Sequence, residues 1–165
     1  MSGYELAELN IAAMREPLES PPMAGFVAAL DRINALAEAS PGFVWRLQTE
    51  AGDATALRPL GAETLVNLSV WRDAASLHGF VYRSGHVEIM RRREEWFERI
   101  RETHVVLWWV GAGERPTVDE ALARLGRLRA SGPTERAFTF KRAFPPPDAP
   151  RPRAPFAFRG QCPAV

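Results

Sequence analysis

The chain has 165 residues, 46% of them hydrophobic and 25% charged, with 21 basic against 20 acidic side chains and a formal charge of +1. That is enough for one domain with a buried core, and it leaves no basic excess to draw in a nucleic-acid backbone or an anionic membrane surface. The one cysteine, Cys162, excludes an intrachain disulfide and a thiolate zinc site.

No apolar run approaches the ~20 residues of a membrane helix, and MSGYELAEL lacks the basic and apolar regions of a signal peptide. A cytoplasmic protein without membrane partners is the expectation.

Glu5 to Ala13 alternates apolar and polar residues and predicts a strand. Pro17, Pro21 and Pro22 make the next segment a loop that opens a helix over Met23 to Ala39. Its apolar face carries Met23, Phe26, Val27, Leu30, Ile33 and Ala37, with Asn34 among them. Pro41-Gly42 stops it. Strands follow over Phe43 to Thr49 and Thr64 to Arg72. Period-two reading of the latter puts Asn67, Ser69 and Trp71 on one face and Val66, Leu68 and Val70 on the other. In the former it groups Phe43, Trp45 and Leu47.

Asp73 can cap a short helix from Ala74 to Tyr82, with a bend at Gly85 before a long helix reaching Arg101. On that long helix Ile89, Met90, Trp96, Phe97 and Ile100 form an apolar stripe. His86 and Arg93 stand in the middle of it, two turns apart. Its other face mixes Glu88, Arg91, Arg92, Glu94, Glu95, Glu98 and Arg99, a solvated surface and not a nucleic-acid patch.

His104 to Val110 is β-branched and aromatic and predicts a strand. Thr117 with Glu120 forms a capping-box pattern, and the stripe Val118, Ala121, Leu122, Leu125, Leu128 runs to Gly132-Pro133. Ala137 to Phe144 reads as a short edge strand. Residues 1–144 then make the domain, and 145–165 a proline-rich tail, extended unless Phe156 and Phe158 dock.

Strand, helix, strand, strand, helix, strand is the split β-α-β motif doubled. The expected fold is α+β: a ferredoxin-like βαββαβ antiparallel sheet with its helices on one face, plus an extra C-terminal helix and short strand. The other face would carry tryptophans unsuited to exposure, and pairing with a second copy would cover it.

The strings SPGFVWRLQ (Ser40 to Gln48), VNLSVW (Val66 to Trp71), FVYRSGH with RRREEWF (Phe80 to Phe97), LWWV (Leu107 to Val110) and PTVDEALARL resemble the bacterial domain-of-unknown-function family 3291, over about Leu6 to Phe144. That family is similar to the dimeric α+β barrel group. The group includes cofactor-free antibiotic-biosynthesis monooxygenases, haem-binding peroxidases and chlorite dismutases, haem-degrading enzymes and muconolactone isomerases. The resemblance implies the barrel fold and a homodimer, and it leaves the reaction open.

His86 has a structural reading, as a cap at the bend after Gly85. It also has two functional ones: acid or base near neutral pH, or axial ligand to haem iron. Arg93 must meet an internal carboxylate, such as Glu5, Glu8 or Asp31, or the anionic group of a substrate. Tyr82, one turn earlier, is a candidate phenolic acid. Asn34, Asn67 and Ser69 can orient a ligand or satisfy one another. Trp45, Trp71, Met90, Trp96, Phe97 and Trp108 can line a pocket for a flat apolar molecule or simply pack the core.

No phosphate loop and no nucleophile elbow is present, and His78, His86 and His104 lack a shared ligand spacing, so no metal is expected. Three readings stay open. The first is a small enzyme acting on an aromatic or polyketide-like molecule by proton transfer or cofactor-free monooxygenation, an oxidoreductase of biosynthesis. The second is a haem protein held by His86. The third is a non-catalytic ligand-binding dimer.

Overall fold

Alternating side chains make β1 (Tyr4–Ala13) the centre of the molecule. The structure, a computed structural model that describes residues 2–150, continues with a 3-10 turn (Pro21–Met23), α1 (Ala24–Glu38), β2 (Phe43–Arg46), β3 (Thr64–Trp71), α2 (Ala74–Arg83), α3 (His86–Trp96), β4 (Val105–Gly111) and α4 (Val118–Ser131). The four strands lie in the order β2-β3-β1-β4 and every neighbouring pair is antiparallel. This is the ferredoxin-like arrangement of an α+β protein. No helix among the described residues is long and apolar enough to cross a membrane.

The pleat separates two cores. On one face Leu6, Trp71 and Leu107 pack against Ala37 of α1, Leu77 of α2 and Phe138. Toward the far end of the same layer, Met23, Leu65, Trp96 and Phe97 close a second cluster. On the opposite face Ala7, Leu9, Ile11, Val66, Leu68, Val70, Val106 and Trp108 pack under Ala121, Leu125 and Leu128 of α4. The first three helices therefore share one face, and α4 crosses to the other. Trp108 is 0% exposed there. The need for a second copy to cover this face is thus largely met within the chain. Val44, Trp45, Leu47 and Leu57, which top the rest of it, stay partly exposed.

Local signals explain the element ends. Asp73 caps α2 by accepting from the Ser76 amide at 2.8 Å. Thr117 caps α4 by accepting from the Glu120 amide at 3.1 Å, while the Glu120 carboxylate turns to Arg124 and leaves the capping box half made. Gly42 has φ +81°, and a Cβ there would collide with Ser76 Oγ, so only glycine lets β2 start beside α2.

Three expectations need correction. Helix α3 ends at Trp96 and not at Arg101, because Phe97 turns extended and the chain leaves to pair with the end of β1. The Glu98 amide donates to Ala13 O, and the Arg15 amide to Trp96 O. The second strand ends at Arg46 and contains a bulge between Phe43 and Trp45, which breaks strict alternation. Phe43 opposes Trp71, whereas Trp45 opposes Val70 and joins the α4 side. The segment expected as a short edge strand is a single bridge, in which Phe138 and Leu107 exchange both backbone hydrogen bonds.

Beyond that bridge the chain still follows the sheet. Trp109 Nε1–H donates to Phe144 O at 2.9 Å, and Asp148 accepts from Ser2 Oγ and the Gly3 amide. Phe156, Phe158 and Cys162 of the expected tail lie outside the described residues.

If α4 seals the far face, Leu125→Ala will cost about 2–5 kcal/mol, as a truncation inside a closed core does. Urea unfolding measures it. A loss below about 1 kcal/mol would mean that α4 rests on the sheet without sealing it.

Candidate active site

The register of three strands builds a polar floor on the face under α1, α2 and α3. Glu8 of β1 stands opposite Ser69 of β3, and Asn10 opposite Asn67. On the other side of β3, the bulge in β2 brings Arg46 opposite Ser69. Helices supply the roof: Asn34 from α1, Val81 and Tyr82 from α2, and His86, Met90 and Arg93 from α3. Floor and roof do not meet. Between them lies a cavity with a larger lobe of ≈ 540 Å³ and a smaller one of ≈ 150 Å³. Phe26, Leu30, Ile33 and Asn34, on the predicted inner face of α1, are only half-buried because they look into this space.

Hydrogen bonds fix the direction of the floor. Trp71 Nε1–H can only donate, and it does so to Ser69 Oγ at 2.9 Å. The Ser69 hydroxyl donates to the ionised Glu8 carboxylate at Oε2, at 3.1 Å. Glu8 is 9% exposed, and burial pushes its carboxyl up to about 7, against which the Ser69 hydrogen bond pulls weakly.

His86 is tuned the other way. Burial holds its pKa below the usual histidine value, opposed by a contact of Nδ1 with Val81 O at 3.4 Å. A carbonyl cannot donate, so Nδ1 carries the proton and Nε2 keeps its lone pair. Its place at the first residue of α3 also disfavours a cation, because that end of the helix dipole is positive. The Phe80 ring lies beside the imidazole, centroids 4.9 Å apart. An ordinary glutamate–histidine pair would be carboxylate and imidazolium. Here both environments favour carboxylic acid and imidazole.

Of the residues singled out in the sequence, His86, Arg93, Asn34, Asn67, Ser69, Trp71, Met90 and Phe97 line the cavity. Arg93 makes no ion pair among the described residues, so neither Glu5, Glu8 nor Asp31 neutralises it. Tyr82 sits at the mouth, 55% exposed, between His78 and Phe140 and away from the deep floor. Three tryptophans fall outside. Trp45 is turned to the far face by the bulge, and Trp108 lies wholly under α4 with Nε1 unpartnered. Trp96 is buried with Met14 and Met23 under the Arg92 guanidinium, 4.7 Å from its ring.

Glu8, expected only as an ion partner for Arg93, and Asn10 and Arg46, outside the expected site, also line the cavity. The signal for the first two was present: Glu8 and Asn10 share the Leu6 and Ala12 face of β1, as Asn67 and Ser69 share the Trp71 face of β3. Two adjacent strands with polar residues on one face mark a floor and not a core. Arg46 carried no such signal, because its facing depends on the bulge.

A haem held by His86 would face Glu8, Asn10, Asn67 and Ser69, the polar floor of the larger lobe. Among the described residues, no group of three or more His, Cys, Asp or Glu is placed to hold a metal ion.

The family described as "Domain of unknown function (DUF3291)" matches residues 5–154. None of the curated proteins matches. Among solved structures, the chain is similar to SnoaB, a cofactor-independent oxygenase from Streptomyces nogalater, at 18% identity over 69% of this chain and 96% of that one, with a TM-score of 0.42. It is also similar to NE2512, a protein of unknown function from Nitrosomonas europaea, at 18% identity over 70% and 97% with a TM-score of 0.42. PA3566 from Pseudomonas aeruginosa matches at 18% identity over 69% and 98%, with a TM-score of 0.40.

The buried carboxyl has a stability signature. Between pH 4.5, the ordinary value, and about 7, the folded protein holds the Glu8 proton and the unfolded chain does not. Stability therefore falls as pH rises through that window, by up to about 3 kcal/mol once Glu8 is ionised. Glu8→Gln removes this loss and keeps an acceptor for Ser69. Urea titrations should show the variant more stable than the parent at pH ~8.5 and close to it at pH ~4.5. An equal gap at both pH values would contradict the assignment.

Proposed function

We propose, given that the chain belongs to the family DUF3291, that it is a small enzyme moving a proton to and from a hydrophobic, aromatic or polyketide-like molecule held between helices and sheet. One observation carries this reading. His86 and Glu8 line the same cavity, and burial favours the uncharged form of each. His86 Nε2 serves as the base that takes a proton from an acidified C–H or O–H of the substrate. The Glu8 carboxyl serves as the acid that returns one at another atom. The amides of Asn34 and Asn67 stabilise the negative charge that develops between those two events, and Arg93 adds a positive field at the border of the two lobes. Trp71 and Met90 supply apolar surface for a flat ring.

The oxidative form of this reading uses dioxygen as the co-reactant. A methylene activated by adjoining rings loses its two hydrogens, one oxygen atom becomes the new carbonyl, and the other leaves as water. Substrate electrons suffice, so no cofactor is required. The binding and proton transfer are common to both forms.

A homodimer belongs to the same proposal. The surface left for it is the part of the far face beside α4, where Trp45, Leu47 and Leu57 stay partly exposed, and Leu60, three residues after Leu57, is 45% exposed. Light scattering should give twice the chain mass for the parent protein and a monomer for Leu60→Glu with Trp45→Glu. A monomeric parent would remove the dimer and leave the chemistry untouched.

The chemistry is tested with 2-tetralone, an aryl ketone with an acidic C–H, by following its hydrogen–deuterium exchange in D₂O by NMR. The protein should accelerate exchange, and His86→Gln should slow it by about 10²- to 10⁴-fold, the usual worth of a positioned base. In the parent the rate should fall on the acid side as His86 is protonated, below the usual histidine range. It should fall on the alkaline side near pH 7 as Glu8 loses its proton, and Glu8→Gln should lack that second limb. Unchanged exchange in His86→Gln sinks the assignment.

A further inference from the structure

The two lobes of the cavity differ in chemistry, and they meet at a waist. Phe26, Leu30, Leu47, Leu65, Ile89 and Phe97 line the smaller lobe. The lobe, near 150 Å³, has the volume of a benzene-sized ring and offers these apolar side chains on one wall, with Asp53 and Thr55 also at its border. Glu8, Ser69 and Trp71 belong to the larger lobe alone. Asn10, Asn34, Arg46, Asn67 and Arg93 border both lobes and form the waist, with His86 and Met90.

Donors at the waist are in surplus. Arg46 gives Nε and Nη2 to a single oxygen of Glu38, at 2.9 and 2.8 Å, which leaves its Nη1 free of that pair. The Arg93 guanidinium makes neither an ion pair nor a hydrogen bond with any described side chain, and it cannot lose its charge. The amides of Asn10, Asn34 and Asn67 likewise have no partner among the described residues. Asp53, an acid on the smaller lobe, accepts through Oδ1 from the Thr55 amide and hydroxyl. At Glu8 the one group favouring the ionised form is Ser69, so no arginine has been recruited to that carboxylate.

We propose that the waist is an anion subsite and that the substrate is an aryl carboxylic acid. Its carboxylate pairs with Arg93 and Arg46, and its ring fills the smaller lobe. The remaining part extends over Glu8 and His86 in the larger lobe. This rests on the reading above, in which that lobe is the reaction site, and it adds the substrate class. The carboxylate also fixes register. A molecule anchored at the waist cannot slide along the cavity, so the same atom always meets His86 Nε2.

Isothermal titration calorimetry with 2-naphthoate and its neutral isostere 2-naphthamide, at low salt and neutral pH, tests the subsite. The parent protein should bind the acid at least about tenfold more tightly than the amide, the worth of a charge-assisted pairing. Arg93→Met should bring the two within about twofold by weakening the acid alone, with circular dichroism confirming its fold. Asn67→Asp, at a position already exposed to the cavity, provides a second arm: it should repel the acid and spare the amide.

Equal binding of acid and amide by the parent, or tighter binding of the amide, overturns the anion subsite. So does an Arg93→Met protein that keeps the tenfold preference. In those cases the proton-transfer reading still stands on the exchange of the neutral ketone. Failure of both probes to bind, together with no exchange, takes the cavity away as a site for both proposals.

Discussion

Among the described residues, one hydrogen bond from Ser69 is all that holds the carboxyl group of Glu8, on the central strand and under three helices. Burying a carboxylate that way is expensive, and the group resolves the conflict by keeping its proton to higher pH. The same conflict explains the space above it. Helices packed tightly onto Glu8, Asn10, Asn67 and Arg46 would strip all four of water, so α1 and α3 stand off and the cavity stays open. Where the floor turns apolar, at Leu6, Leu107 and Trp71 on one side and Leu65 and Phe97 on the other, the layers close again. The molecule thus accepts a stability loss in the middle of its sheet. Proteins commonly make that exchange where chemistry is done.

Much of this was legible in the residues. Two polar side chains in the apolar stripe of one helix, and a polar row on one strand, put His86, Arg93, Asn67 and Ser69 in one space before any coordinates. Asp73, Thr117 and Gly132 marked helix ends because their chemistry is local. What escaped depended on contacts distant in sequence. Nothing within VWRLQT announces a bulge, yet the bulge decides that Arg46 and not Trp45 reaches the cavity. Nothing within EEWFERIR announces that Phe97 leaves the helix to pair with Met14. The apolar stripe of α4 showed that it would be buried, but not on which face of the sheet. That last uncertainty mattered most, since it decides whether the sheet needs a second copy to cover it.

Glu8 was overlooked for a different reason. A single acid in an alternating strand looks like the solvent-facing half of the pattern, and only the covering of that face by α1, α2 and α3 gives it meaning. Trp71 adds to the effect. As a donor with no acceptor capacity it holds one lone pair of Ser69 Oγ, and Ser69 in turn donates to the ionised Glu8. An indole expected to be apolar lining is in addition the fixed end of a proton-bearing chain.

The central position of β1 has a consequence for how the protein is made. Both of its partners, β3 and β4, follow it in the chain, so one edge stays open until residue 71 has been synthesised and the other until residue 111. A nascent strand with two free edges is a seed for aggregation. Glu8 and Asn10 interrupt what would otherwise be a run of Leu6, Ala7, Leu9, Ile11, Ala12 and Ala13, and a charge or amide within such a run acts as a gatekeeper. The unfolded chain ionises Glu8 at ordinary pH, so the charge is present while β1 waits, and the burial that favours its neutral form comes only with the finished sheet. One carboxyl group protects the chain during synthesis and is available for chemistry afterwards.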